Sequence, residues 1–128
     1  MKIEHIGFLV EKPISMATWW INFLGFEMIR QAGNDEDGVV FIKDENNTII
    51  EFGRIKNENP IDFNLLEPLQ VHIAIECENP ESESIKLIKN GATLIGESYR
   101  NDYKNEKILI KDPYGAVIQL ITRKFKII

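Results

Sequence analysis

Two histidines, a glutamate and a glutamine stand where they could share one metal ion. His5 and His72 each open an apolar run, Ile6-Gly7-Phe8-Leu9-Val10 and Ile73-Ala74-Ile75. Glu51 interrupts Ile49-Ile50-Phe52, and Gln119 interrupts Val117-Ile118-Leu120. Read as strands, these runs alternate faces with period two. Ile6, Phe8 and Val10 then leave Ile3, His5, Gly7 and Leu9 on the opposite face, while Val71, Ile73, Ile75 and Cys77 leave His72, Ala74 and Glu76 opposite. Ile50 and Phe52 oppose Glu51, and Ile118 and Leu120 oppose Gln119. Helices must cover the aliphatic faces, so the four polar side chains point to the far side. Two imidazoles, one carboxylate and one amide suit a divalent transition metal; Ni²⁺, Zn²⁺, Co²⁺ and Fe²⁺ all accept such donors. Glu51 is the one carboxylate among the four and so the one that can act as a carboxylate base; a neutral amide is a weak ligand and no base.

Each residue singly has an ordinary reading as a core or solvated strand residue. Their repetition adds weight. The segment from His5 to Pro13 aligns with the segment from His72 to Pro80 at an offset of 67, with four of nine positions identical. Ile42 to Phe52 aligns with Ile110 to Leu120 at an offset of 68, with four of eleven identical. Gly25 faces Gly91 between the two blocks. Two modules follow, residues 1–56 and 69–124, joined by a segment (57–68) with two prolines and few strand formers.

The elements that must position these residues read, in each module, as strand, helix and three strands. The first strands are Ile3–Val10 and Val71–Cys77. Ser15 is expected to cap a helix whose Met16, Trp19, Trp20, Phe23 and Leu24 form an apolar stripe, with Gly25 ending it in a left-handed conformation. Both tryptophans are assigned to the helix–sheet core. In the second module Asn79 caps, Pro80 takes the first helical position, Glu81 and Glu83 meet the positive end, and Lys86 and Lys89 the negative end. The remaining strands are Phe26–Arg30, Val39–Lys43 and Thr48–Arg54, then Thr93–Gly96, Lys107–Lys111 and Ala116–Arg123. Asp112-Pro113-Tyr114-Gly115 has the residues of a type I turn, and Asn47 takes the place of Gly115. Asp35-Glu36-Asp37 and Asn101-Asp102-Tyr103-Lys104 read as solvated hairpin tips. Arg30, at a strand end, could meet a carboxylate but reads most simply as solvated.

Composition narrows the function. The chain has 128 residues, one average domain, with 44% hydrophobic and 27% charged residues, as in ordinary globular proteins. Its net charge of −5 and lack of a basic cluster argue against nucleic-acid binding. The longest uncharged stretch, Pro13 to Phe26, falls short of the about 20 residues a membrane span requires. Glu4 and His5 stand where a signal peptide needs an apolar core. Cys77 is the single cysteine; no intrachain disulfide can form, it reads as a small buried hydrophobe, and the expected compartment is the cytoplasm.

The pattern resembles the vicinal oxygen chelate superfamily, which includes glyoxalase I, bleomycin-resistance proteins, extradiol dioxygenases, fosfomycin-resistance enzymes and methylmalonyl-CoA epimerase. The resemblance spans nearly the whole chain. It rests on His5-Ile6-Gly7, Phe23-Leu24-Gly25-Phe26, Glu51, His72, and Asp112-Pro113-Tyr114-Gly115 leading into Gln119. It implies an α+β fold in which paired βαβββ modules form an open curved barrel, a single glyoxalase-like domain over 1–128. It also implies a metal held from the four positions matched by His5, Glu51, His72 and Gln119. Bacterial glyoxalase I carries Glu, often its base, where this chain carries Gln119, and in the dioxygenases and fosfomycin enzymes the carboxylate ligand also sits there. The expected activity is a metal-dependent lyase or isomerase of glyoxalase type. It would act on a small molecule with vicinal oxygens through an enediolate-type intermediate, with Glu51 as base. The alternative, from another class, is a metal-free protein that sequesters a small molecule, as bleomycin-resistance proteins do. Exposed sheet edges and the habits of relatives point to a homodimer.

Overall fold

The computed structural model describes residues 1–96 and 106–128. The expected tip at Asn101–Lys104 lies outside the described residues. The chain divides into two compact units, Met1–Asp62 and Phe63–Ile128. Each is a βαβββ module, as the internal repeat requires.

Unit 1 runs β1 (Ile6–Leu9), α1 (Pro13–Leu24), β2 (Glu27–Gly33), β3 (Gly38–Lys43) and β4 (Ile49–Arg54). Its sheet has the order β1-β4-β3-β2, with β1 parallel to β4 and the other pairs antiparallel. Unit 2 repeats this with β5 (His72–Glu76), α2 (Pro80–Lys89), β6 (Thr93–Gly96), β7 (Glu106–Lys111) and β8 (Val117–Thr122), in the order β5-β8-β7-β6. The class is α+β, with two mixed four-stranded sheets. The first strands are shorter than the alternation implies. Only Ile6 to Leu9 find ladder partners on β4, so His5 stands just before the strand, not inside it.

Aromatic packing fixes which face α1 covers. Trp20 is fully buried and meets the rings of Phe26 and Phe52 edge-on, at 5.2 and 5.3 Å between centroids. Trp19 packs on Phe23, so both tryptophans serve the core as expected. In unit 2, Leu87 of α2 is buried, as are Ile110, Ile118 and Leu120 of the sheet beneath. Gly25 ends α1 at φ 76°, the left-handed conformation anticipated for it.

The start of α1 differs from expectation. The helix begins at Pro13, and the N-cap residue, Lys12, offers no side-chain hydrogen bond. Ser15 is therefore inside the first turn, two residues past Pro13. The cap comes from Asp35 on the β2–β3 hairpin: Oδ1 accepts from the backbone N–H of Ile14 (2.7 Å) and Ser15 (3.0 Å), and Oδ2 accepts from the Ser15 hydroxyl. Those two N–H groups are the ones a local N-cap side chain would satisfy. Asp35 is thus no solvated tip residue. The second helix follows the sequence reading, with the Asn79 side chain accepting from Ser82 N–H at 3.0 Å and Pro80 in the first turn.

The two β-turns also repeat. Gly115 N–H donates to Asp112 C=O, and Ala116 N–H to Asp112 Oδ1; Asn47 and Thr48 make the same bonds to Asp44. Gly115 at φ 94° and Asn47 at φ 63° hold the left-handed position of each turn. Cys77 is half-buried, and its thiol is pushed up to about 11, chiefly by burial and then by the Glu83 charge.

Candidate functional site

Strand register assembles a polar patch on the face of unit 1 opposite α1. Gly7 pairs with Glu51 across β1–β4, and Phe41 pairs with Glu51 across β3–β4. Because Phe52 packs under Trp20, its neighbour Glu51 must point away from the helix. His5 lies on the same side: its ring meets Phe41 edge-on at 5.5 Å, and its Nε2 is 3.5 Å from Glu51 Oε2.

The His5 ring is oriented by a residue that sequence reasoning missed. Glu4 Oε2 accepts a hydrogen bond from His5 Nδ1. A carboxylate can only accept, so Nδ1 carries the proton and Nε2 keeps its lone pair when the ring is neutral. The Glu4 hydrogen bond is also the main reason the pKa of His5 is raised; partial desolvation opposes it, and the charges of Glu4 and Glu51 add to it. Strict alternation would have placed Glu4 and His5 on opposite faces. They meet because both precede the first laddered residue.

Unit 2 carries the counterpart. Ala74 pairs with Gln119 and His72 with Val117, so His72 and Gln119 share one face in adjacent rows. His72 is exposed, and its Nδ1 lies 3.2 Å from the backbone oxygen of Leu69. The carbonyl again requires the proton on Nδ1 and leaves Nε2 free. Gln119 is buried, at 8% exposure. Thus each unit supplies two of the four candidate ligands, and among the described residues no three His, Cys, Asp or Glu side chains form a metal-holding group.

The two halves differ in the room around their central polar residue. A Cβ on Gly7 would stand 3.5 Å from Glu51 Oε1, and one on Gly53 would stand 3.8 Å from the same oxygen. Glu51 is therefore flanked by two missing side chains. The corresponding neighbours of Gln119 are Ala74 and Ile121, with Leu109 in the place of Phe41. Phe41 escaped the sequence reading because Val39-Val40-Phe41-Ile42 is apolar throughout, and alternation assigns faces only where polarity alternates; Gly53 escaped it because a residue without a side chain carries no polarity signal.

A family model described as a glyoxalase-like domain matches residues 5–121. The chain belongs to that family. The glyoxalase-like domain places it in the vicinal oxygen chelate superfamily, and solved structures share its fold. A glyoxalase family protein from Bacillus cereus superposes with a TM-score of 0.78 at 14% identity, covering 94% of this chain and 93% of that one. A genomically encoded fosfomycin resistance protein from Listeria monocytogenes, in complex with Mn(II) and sulfate, gives 0.71 at 16% identity, covering 97% and 91%. A glyoxylase/bleomycin resistance protein/dioxygenase domain from Frankia sp. EAN1pec gives 0.72 at 12% identity, covering 97% and 98%. No curated protein matches this glyoxalase-like domain in sequence.

Proposed function

We propose that this glyoxalase-like domain is a metal-dependent lyase or isomerase acting on a small molecule with vicinal oxygens. His5, Glu51, His72 and Gln119 would hold the ion. The observation that carries the reading is the state of the two imidazoles. Each commits Nδ1 to an oxygen acceptor, Glu4 or the Leu69 carbonyl, so that in the neutral ring the Nε2 lone pair is the one available to an ion. Metal-ligating histidines almost always show this arrangement. The 3.5 Å between His5 Nε2 and Glu51 Oε2 also suits two donors bound to one ion at about 2.0–2.2 Å.

A bound divalent ion would supply Lewis acidity toward two adjacent substrate oxygens. Glu51 would take a proton from one carbon and return it to the neighbour through an enediolate-type species. Phe41 walls the space beside it, and Gly7 and Gly53 leave that space open. Gln119 has no basicity and would orient oxygen through its amide.

A second reading, sequestration of a small molecule without metal, draws support from Gln119, a buried neutral amide where a two-carboxylate site would carry charge. Metal content of protein purified without a polyhistidine tag, followed by calorimetric titration with Ni²⁺ and Zn²⁺, decides between them. One ion per chain, lost in His5→Ala and His72→Ala alike, is the expected result. Absence of binding overturns the enzyme reading in favour of sequestration.

We further assign the chain to the cytoplasm, as a two-fold homodimer without nucleic-acid or membrane partners. Among the described residues no helix is long and apolar enough to cross a membrane. Light scattering at tens of micromolar, a rough range for a specific interface, tests the dimer, and a monomer would refute it.

A further inference from the structure

We propose that Arg30 anchors an anionic group, a carboxylate or phosphate, of the ligand that binds the open face of unit 1. This deepens the reading above, on which it rests for placing the ligand's other end at Glu51.

The decisive feature is a bulge. Met28 pairs with Ile42 on the face covered by α1, and uninterrupted alternation would put Arg30 on that face too. The register shifts between Met28 and Arg30, so Arg30 pairs with Phe41 instead. Phe41 lies on the His5 side, so one extra residue turns the guanidinium toward Glu51's face. Bulges next to sites often re-aim a side chain in this way. The result is one row across four strands: Arg30, Phe41, Glu51 and Gly7.

The row has the makings of a subsite. Arg30 is exposed on the edge strand, and among the described residues it makes no ion pair. Lys43 takes the neighbouring acid, Glu27, at 3.7 Å. Strands lie about 4.7–4.9 Å apart, so the backbone positions of Arg30 and Glu51, two strands apart, are separated by roughly 10 Å. A small molecule with an acid at one end, an apolar middle over Phe41 and reacting oxygens at the other end spans that gap. The planar guanidinium fork suits carboxylate or phosphate oxygens.

Unit 2 provides the contrast. It has the same bulge, between Leu94 and Gly96, yet Gly96 pairs with Leu109 and gives the row Gly96, Leu109, Gln119, Ala74. The backbone device is present in both halves, but only unit 1 mounts a cation on it.

The test uses the full chain, freed of metal with a chelator, and two probes, 3-phenylpropionate and its neutral amide. Backbone amide NMR shifts report where each binds and how tightly. The expected result is that the carboxylate shifts β2–β4 resonances, that Arg30→Gln weakens it about five- to tenfold, and that the amide is unaffected. Arg30→Lys should fall between, since it keeps the charge and loses the fork. Competition by inorganic phosphate against acetate then identifies the preferred anion. Equal affinity of wild type and Arg30→Gln for the carboxylate, equal weakening of both probes, or shifts away from β2–β4 would each overturn the proposal. Zn²⁺ titration of the same samples reads the metal site separately, so either idea can fail alone.

Discussion

Gly7 sits directly opposite Glu51 in the parallel β1–β4 ladder, and its missing side chain leaves Glu51 Oε1 uncovered on that side. A Cβ there would be 3.5 Å from the oxygen, an ordinary contact. Gly7→Ala should therefore fold with stability within about 0.5 kcal/mol of wild type. Gly7→Val adds two methyls beside the carboxylate and should weaken metal binding about tenfold, read by calorimetry, with the circular dichroism spectrum unchanged.

Glu51→Gln keeps the shape and removes both the base and the anion. Turnover of any substrate found for the wild type should fall by about 10²–10⁴-fold, the usual contribution of a positioned base. The thermal transition of the metal-free protein should scarcely move, because Glu51 is only half-buried. Full activity in this variant would remove Glu51 from the chemistry.

Gln119→Glu makes the opposite change. A carboxylate at this buried position costs desolvation in the metal-free protein and gains an ion partner when metal is present. The melting temperature should drop without metal, and the rise on adding Zn²⁺ should exceed that of wild type, because a ligand that binds only the folded state stabilises it. An identical Zn²⁺ shift in both proteins would place position 119 outside the metal's reach.

Asp35→Ala removes the cap of α1 and should cost about 0.5–2 kcal/mol in chemical denaturation. The pH dependence has a defined sign. Burial, the largest single influence, works to raise the Asp35 pKa; the hydrogen bonds from the Ser15 hydroxyl, Ser15 N–H and Ile14 N–H, with the Lys12 charge, outweigh it and hold the pKa below its ordinary value. A depressed folded-state pKa gives stability that is present above the unfolded value and lost as pH falls through the folded one. The difference between wild type and Asp35→Ala should therefore be full at pH 6 and shrink on acidification below the ordinary aspartate range. A difference that is constant with pH would show that the charge plays no part.

The fold was legible because it is written twice. The alignment of His5–Pro13 with His72–Pro80 and the matching Asp44 and Asp112 turns located every strand to within a few residues, and the Asn79 cap and the left-handed Gly25 emerged as local chemistry. What sequence could not reach was non-local. The cap of α1 comes from Asp35, 20 residues from Ser15, so no window around the helix contains it. The bulge before Arg30 depends on how β2 meets β3, and a bare apolar-polar pattern cannot reveal an inserted residue. The face of Glu51 away from α1 was legible because Ile50 and Phe52 bracket it, whereas its neighbour Phe41 was not, because it hides in an apolar run.

The Asp35 clamp has a further consequence for motion. Every residue of β2 is exposed, and an edge strand of that kind would ordinarily open on its own, exchanging its amide hydrogens fast. Here the turn that follows β2 is fastened to the first turn of the helix whose Trp20 fills the core. Lifting the hairpin uncaps α1, so the strand that carries Arg30 and the helix behind it form one cooperative opening unit, and their slow-exchanging amides should share a common free energy of opening.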